Sequence, residues 1–219
     1  MINFEIAGKA LPFLLKGTMV SIALWLITVS MGFVIGTLLG IGQCRGPKYL
    51  RPIIAAYVWL IQGTPMIVQI GFIYYVLPTL GITFSNFWTA GLAIGINSSA
   101  YVSQIIRSGI NAVAPGTIEA AHVLGFSRTQ TAWYIILPQA VYMVLPALGN
   151  EGTTLIKDTS LASIIGVMEL YKTAIGFINQ TYDVVTLFIM LAIIYLTLTS
   201  GFSIAMSLIQ KRMNKHADR

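Results

Sequence analysis

The sequence predicts an all-α membrane protein of about five transmembrane helices, with the N-terminus outside and the C-terminus cytoplasmic. Two observations carry the prediction. Of 219 residues, 56% are apolar and only 9% charged, against roughly 25% charged in a soluble domain. Mean hydropathy is +0.80. The little charge present is also kept out of long runs. No Asp, Glu, Lys or Arg lies from Gly17 to Cys44, from Pro52 to Ile106, or from Val184 to Gln210. A spanning helix needs about 20 apolar residues, so the first and last runs each hold one span and the middle run holds two.

Taken in order, the first span is placed at 18–43. It is too long for the roughly 7–15-residue core of a signal peptide and lacks an evident small-residue cleavage site, so it is expected to stay in the chain. The second and third, 54–77 and 86–106, are separated by a break near Pro78 to Asn86. The fourth, 139–157, is less apolar, with Asn150, Glu151 and two glycines before Lys157-Asp158. The fifth is 184–209. Together they make 1–219 a single polytopic domain.

Lysine and arginine favour the cytoplasmic side of a membrane protein. Arg45, Lys48, Arg51, Arg107, Arg128, Lys211, Arg212, Lys215 and Arg219 fall on one side of the predicted spans, and Lys9, Lys16, Lys157 and Lys172 on the other. Nine against four sets the predicted orientation. The net charge of +6 therefore reads as topology and contact with anionic lipid. With no basic patch interleaved with exposed aromatics, a nucleic-acid role is excluded.

The one cysteine, Cys44, cannot form an internal disulfide. His122 and His216 are far apart, and there is no metal-ligand cluster. There is no Gly-x-x-x-x-Gly-Lys-Ser/Thr phosphate loop. If ATP powers transport here, another chain binds it. An intramembrane enzyme would need His, Ser or paired-Asp machinery that the spans do not offer.

Small residues recur every fourth position on two spans: Gly32, Gly36 and Gly40 on the first, and Gly91, Gly95, Ser99 and Ser103 on the third. Such faces let helix backbones approach closely, either within the bundle or between subunits. The loop from Arg107 to Pro138 is too long for a simple connector. Thr117 is expected to cap a helix of about eight residues with Glu119 in its first turn, where the dipole favours an anion. Gly125 is expected to end it in a left-handed conformation. Ser127-Arg128-Thr129-Gln130 fits a capping box that starts the next helix. A short polar helix on such a loop serves either as a surface lid or as a docking element.

Residues 119 to 138 follow the spacing Glu119-Ala120-Ala121, three residues, Gly125, nine residues, Ile135, one residue, Leu137-Pro138. This resembles the coupling loop of bacterial ABC importer permeases. Further strings point to the polar amino acid branch of that family: Gly63-Thr64-Pro65-Met66-Ile67-Val68-Gln69, Tyr74-Tyr75-Val76-Leu77-Pro78, Ala100-Tyr101, Ile105-Ile106-Arg107-Ser108-Gly109-Ile110, Leu137-Pro138-Gln139-Ala140 and Lys157-Asp158-Thr159-Ser160-Leu161. They occur in family order over about residues 15 to 210. Gln62 and Gln104 stand where the family usually has Arg and Glu, which puts any ion pair between those positions in doubt.

The resemblance implies a transmembrane subunit of an ATP-driven amino acid importer in the bacterial inner membrane. It would pair with a second permease, identical or paralogous. Two ATP-binding subunits would carry the ATP and Mg, leaving no cofactor on this chain, and an extracytoplasmic binding protein would deliver the amino acid. Glu119, Ala120, Ala121, Gly125, Leu137 and Pro138 would couple the permease to its ATPase.

Polar groups inside the membrane point to the substrate path. Glu151 and Asp158 are seven residues apart, so on a helix they share one face about 10 Å apart axially. Asn97 and Gln104 repeat the spacing, with interhelical hydrogen bonding as the alternative. Gly63 and Thr64 lie at a Pro65 break, where freed backbone groups bind substrate in other transporters, or where the chain simply kinks. These six residues are the expected substrate site. Two carboxylates against one lysine, Lys157, point to a basic amino acid (arginine, lysine or histidine), with glutamine or another polar amino acid as the alternative. A stand-alone secondary transporter or channel is the other reading of the spans.

Overall fold

The computed structural model describes residues 2–217, with side chains as far as Met213. The described residues form helices and turns, with no strand. Among the predicted tail cations, the side chain of Lys215 and the whole of Arg219 lie outside the described residues, as does the side chain of His216.

α1 runs from Phe4 to Arg45, 42 residues or about 63 Å at 1.5 Å per residue. It starts well before residue 18 because Asn3 caps it, accepting from the N–H groups of Glu5 and Ile6 at 3.1 and 3.2 Å. α2 (Leu50–Gln62) and α3 (Met66–Gly71) replace the predicted second span. α2 and the stretch Met66–Leu80 that α3 begins meet at a bend of 101°. Pro65 has no N–H to continue α2 and holds Thr64 away from helical backbone. A π turn (Phe72–Val76) and a 3-10 turn (Leu77–Leu80) follow. α4 spans Asn86–Asn111, so Arg107 lies inside a helix instead of in a loop. After α5 (Pro115–Val123), helix resumes at α6 (Arg128–Gln130) and continues through a π turn (Thr131–Ile136) into α7 (Leu137–Asp158). The segment between α4 and the next long helix is thus residues 112–127, shorter than the expected 107–138. A 3-10 turn (Thr159–Ile165) leads to α8 (Leu170–Thr181), a helix outside the five predicted spans, and α9 (Val184–Ala217) follows.

Among the described residues, three helical stretches are long and apolar enough to cross a membrane, Phe4–Arg45, Arg128–Ile165 and Val184–Met213, and the bent pair Leu50–Gln62 and Met66–Leu80 makes a fourth if taken as one span. α4 is 26 residues long but carries Asn97, four serines and Gln104. It is the helix the others surround. Gly32, Gly36 and Gly40 of α1 all face it. A Cβ on Gly36 would lie 2.6 Å from Val102 Cβ and 2.8 Å from the Ser99 carbonyl oxygen, and one on Gly40 would lie 2.7 Å from the Ser103 carbonyl oxygen. In return, Gly91 and Gly95 of α4 receive Leu24, Ile27 and Met31 of α1. Both small-residue stripes therefore serve one seam inside the chain.

The seam sets helix direction. Gly32 meets Ser98 and Gly36 meets Val102, so α1 and α4 run parallel; Gly109 meets Val144 while Ser98 meets Glu151, so α7 runs against α4. Gly149 meets Met206 and Gly152 meets Phe202, turning α9 back again. The start of α1 and the end of α9 lie at opposite ends of the bundle. Many large apolar side chains point outward, among them Leu38, Trp59 and Leu196, as expected where lipid or a partner replaces water.

One buried carboxylate escaped the sequence reading. Glu169 is fully buried and caps α8, accepting from the N–H groups of Tyr171 (2.8 Å) and Lys172 (2.7 Å). The hydroxyls of Ser21 on α1 and Tyr195 on α9 donate to the same carboxylate at 3.4 Å. It thus fastens three helices. Glu169→Ala removes the cap and strands buried donors, an expected loss of about 2 kcal/mol or more. The thermal midpoint of the purified chain in detergent measures it. Glu169→Gln, which keeps one acceptor oxygen, should lose less. An alanine variant melting with the parent would refute the fastening role.

Candidate functional site

Two regions carry the expected functional residues. The first is α5. It is capped at Ala114 and starts at Pro115, the cap lying three residues ahead of the one expected at Thr117. Pro115 occupies the first turn, where its missing N–H goes unneeded, and Thr117 donates its N–H to Ala114 O at 3.0 Å instead of capping. Glu119 consequently sits in the second turn. The exit is as expected. Gly125 has φ +83°, Gly125 N–H donates to His122 O and Phe126 N–H to Ala121 O, both at 3.0 Å. This paired 5→2 and 6→1 pattern closes a helix on a left-handed glycine. The Ser127 capping box is present in both directions, Ser127 N–H to Gln130 Oε1 at 2.8 Å and Gln130 N–H to Ser127 Oγ at 3.3 Å. Ala121 is buried against the rest of the chain, while Glu119, Ala120 and His122 are exposed. Val123 and Leu124 are 88% and 75% exposed. Leu137 and Pro138, also exposed, begin α7 beyond the π turn and are not part of the α5 helix.

The second region is the bundle interior around one turn of α4. Asn97 donates to Gln69 Oε1 at 3.0 Å, and its neighbour Ser98 donates to Glu151 Oε1 at 2.8 Å. Gln69 was not among the expected residues, yet it organises the Pro65 break. Its amide nitrogen lies 2.7 Å from Ile61 O, 3.1 Å from Thr64 O and 2.8 Å from Thr64 Oγ1. Two carbonyls at the break, Ile61 O and Thr64 O, are therefore taken by this side chain. The Gly63 N–H, expected to be free for a ligand, donates to Trp59 O at 2.9 Å.

A cavity of about 450 Å³ opens beside the break, lined by Leu60, Thr64, Gln69, Phe72 and Ile96 among others. Gly63, Thr64, Asn97 and Glu151 thus gather near one level of the bundle. Gln104 and Asp158 do not join them. Gln104 donates to Gln43 Oε1 at 3.0 Å. Because α4 and α7 are antiparallel, Gln104 and Asp158 lie on opposite sides of the Ser98–Glu151 contact, about 20 Å apart along the bundle by helix rise. For Asn97 and Gln104, the interhelical hydrogen bonds left open by the sequence are both made.

The fold is shared with known transporters. Residues 32–215 match the family described as binding-protein-dependent transport system inner membrane component. The chain belongs to this family. The glutamine transport system permease protein GlnP of Escherichia coli is 34% identical over 206 residues, 93% of this chain and 94% of that one. A Rickettsia conorii protein provisionally named glutamine transport system permease GlnP is 37% identical over 214 residues, 96% of this chain and 98% of that one. A crystal structure of an amino acid ABC transporter with histidines contains a chain superposing with a TM-score of 0.91 at 34% identity, covering 97% of this chain and 99% of the other. The inward-facing MetNI methionine ABC transporter shares the fold, with a TM-score of 0.78 at 18% identity.

This is therefore an ABC importer permease for amino acids, an inner-membrane component that works with ATPase and binding-protein partners. Such permease subunits are not themselves enzymes.

Proposed function

We propose that this permease pairs with a second permease subunit and carries a basic amino acid, with Glu151 and Asp158 on the path of the cationic side chain. One observation supports the cargo. Glu151 accepts from the Ser98 hydroxyl, and among the described residues neither Glu151 nor Asp158 has a Lys, Arg or His nitrogen within 4.0 Å. A half-buried carboxylate without a cation is costly. A guanidinium, ammonium or imidazolium passing along α7 supplies the missing charge, and arginine can do so through two parallel hydrogen bonds. The 20 Å separation of Gln104 and Asp158 argues for stations along a path, with Thr64, Asn97 and Glu151 at one level. Glutamine is the second reading, favoured by the names of the relatives. Its amide presents N–H donors to Glu151 without bringing charge.

In the same proposal, two ATP-binding subunits hold ATP and Mg while this chain holds no cofactor. The exposed face of α5, from Glu119 to Gly125, docks into the ATPase on the cytoplasmic side, with the N-terminus of the chain outside. Leu137 and Pro138 hold the helix that carries this motion into the bundle.

Uptake by the complete importer in proteoliposomes, driven by ATP, tests the cargo. Glu151→Gln and Asp158→Asn are expected to lower arginine, lysine and histidine uptake at least tenfold, since each removes a charge partner of about 1.4 kcal/mol or more, while glutamine uptake falls less. Glutamine as the sole cargo of the unaltered complex overturns the basic assignment and establishes the second reading.

A further inference from the structure

At the end of the bundle that carries α5, a groove of about 270 Å³ runs between α1, α4 and the π turn before α7. It is lined by Ile41, Arg45, Ile110, Ala132, Trp133, Ile136 and Leu137. The lining is apolar except at one point, where Arg45 closes the uncharged stretch that begins at Gly17. In a bilayer that position is the boundary between hydrocarbon and headgroups. Trp133 and Tyr134 are 65% and 70% exposed beside it, in the manner of aromatic residues that settle at this boundary.

Arg45 is not alone. The end of α1 lies against the end of α4, with a Cβ on Gly40 falling 2.8 Å from Ile106 Cβ and Cys44 Sγ 3.9 Å from Asn111 Oδ1, so Arg45 and Arg107 share this corner and Arg51 follows on the short turn into α2. Among the described residues, none of them has a carboxylate oxygen within 4.0 Å. Arg51 spends its Nε on Gly46 O at 3.1 Å, leaving its terminal nitrogens free for another acceptor. We propose that this groove binds an anionic phospholipid, with an acyl chain against Ile41, Ile110 and Ile136 and the phosphate on Arg45, supported by Arg107.

Charge decides between a lipid and a second copy of the chain. The described carboxylates are Glu5, Glu119, Glu151, Asp158, Glu169 and Asp183. Of these described carboxylates only Glu119 lies at this end of the bundle, and it sits on α5. Another copy therefore brings mostly like charge to the arginine corner, whereas a phosphodiester brings the opposite charge and a guanidinium receives it with two parallel hydrogen bonds. The apolar walls complete the match, since the groove continues into the zone where acyl chains lie.

Full-length chain reconstituted in phosphatidylcholine vesicles tests this, with a minor fraction of phosphatidylglycerol or phosphatidylcholine carrying brominated acyl chains. Bromine quenches tryptophan fluorescence on contact. Brominated phosphatidylglycerol should compete for the site about fivefold better than brominated phosphatidylcholine, the preference expected of one arginine at the surface. Trp133→Phe should erase the difference, which assigns it to the groove and not to Trp25, Trp59 or Trp88. Arg45→Gln should bring the two lipids level, whereas Arg45→Lys keeps part of the preference. Equal quenching by both lipids in the unaltered chain would overturn the proposal. So would failure of either lipid to reach Trp133, the result expected if a second copy covers the groove.

Discussion

Glu119→Lys and Gly125→Trp variants are expected to insert and fold normally yet lose ATP-driven uptake, to below about a tenth of the parent rate in each case. Glu119 lies on, and Gly125 just beyond, a nine-residue helix whose one buried residue is Ala121. Glu119 is exposed and makes no salt bridge among the described residues, so reversing its charge breaks no ion pair there. Against an ATPase surface that receives a carboxylate, the new lysine costs several kcal/mol in like-charge contact.

Gly125 is a cleaner probe, because a Cβ there meets nothing within 4 Å. Tryptophan fits the isolated permease and obstructs only what docks on it. Its left-handed φ of +83° adds strain that could itself fray the helix end, so Gly125→Asn serves as the control. Asparagine tolerates that conformation better than other side chains and is small, so it should keep most of the uptake. Rates are measured in proteoliposomes at matched membrane levels of the complex. Normal uptake by both the lysine and tryptophan variants would remove α5 from the coupling step.

The exit of α5 was legible because left-handed glycine after a helical run has few alternatives. Its entry was misread for a physical reason. Both Thr117 and Pro115 are good start signals, and the proline won because its fixed φ suits the first helical position. α4 was found from the missing charge over Pro52 to Ile106, although its serines and Asn97 make it too polar to stand out by apolarity. The same small residues explain its place. A helix made of Gly, Ala and Ser is one that others can approach, and it lies at the centre.

The companion of Asn97 could not be read. Gln69 is one more amide in an apolar stretch until the 101° bend brings it back under the Ile61 and Thr64 carbonyls. Glu169 was missed for a related reason: glutamate is an unusual cap, and its partners Ser21 and Tyr195 are distant in sequence. Composition and spacing report what each helix can bury. Which polar groups meet is decided by helix direction, and that emerges only when α7 is seen to run against α4.

Gly36→Leu should cause the largest loss of stability. Three helical turns of α1 lie against α4 through Gly32, Gly36 and Gly40, and the middle one has no slack. A Cβ at Gly36 falls 2.6 Å from Val102 Cβ and 2.8 Å from the Ser99 carbonyl oxygen. A side chain can turn away, but Ser99 belongs to the backbone of the central helix and moves only if the seam opens. Overpacking of a filled core costs about 1–3 kcal/mol, and a leucine against backbone lies at the upper end. The seam also sets the level of Ser98, which holds Glu151, so opening it shifts the candidate cargo site as well.

The measurement is the thermal midpoint and yield of monodisperse chain in detergent. Gly201→Leu on α9, where a Cβ meets nothing within 4 Å, controls for glycine replacement as such and should melt near the parent. Gly36→Ala should fall between them. Val102→Ala combined with Gly36→Leu should recover only part of the loss, because it clears the side-chain contact and leaves the Ser99 carbonyl in place. Full recovery would mean that the seam is held apart by Val102 alone. A Gly36→Leu chain as stable as the parent would show that α1 and α4 do not pack backbone to backbone.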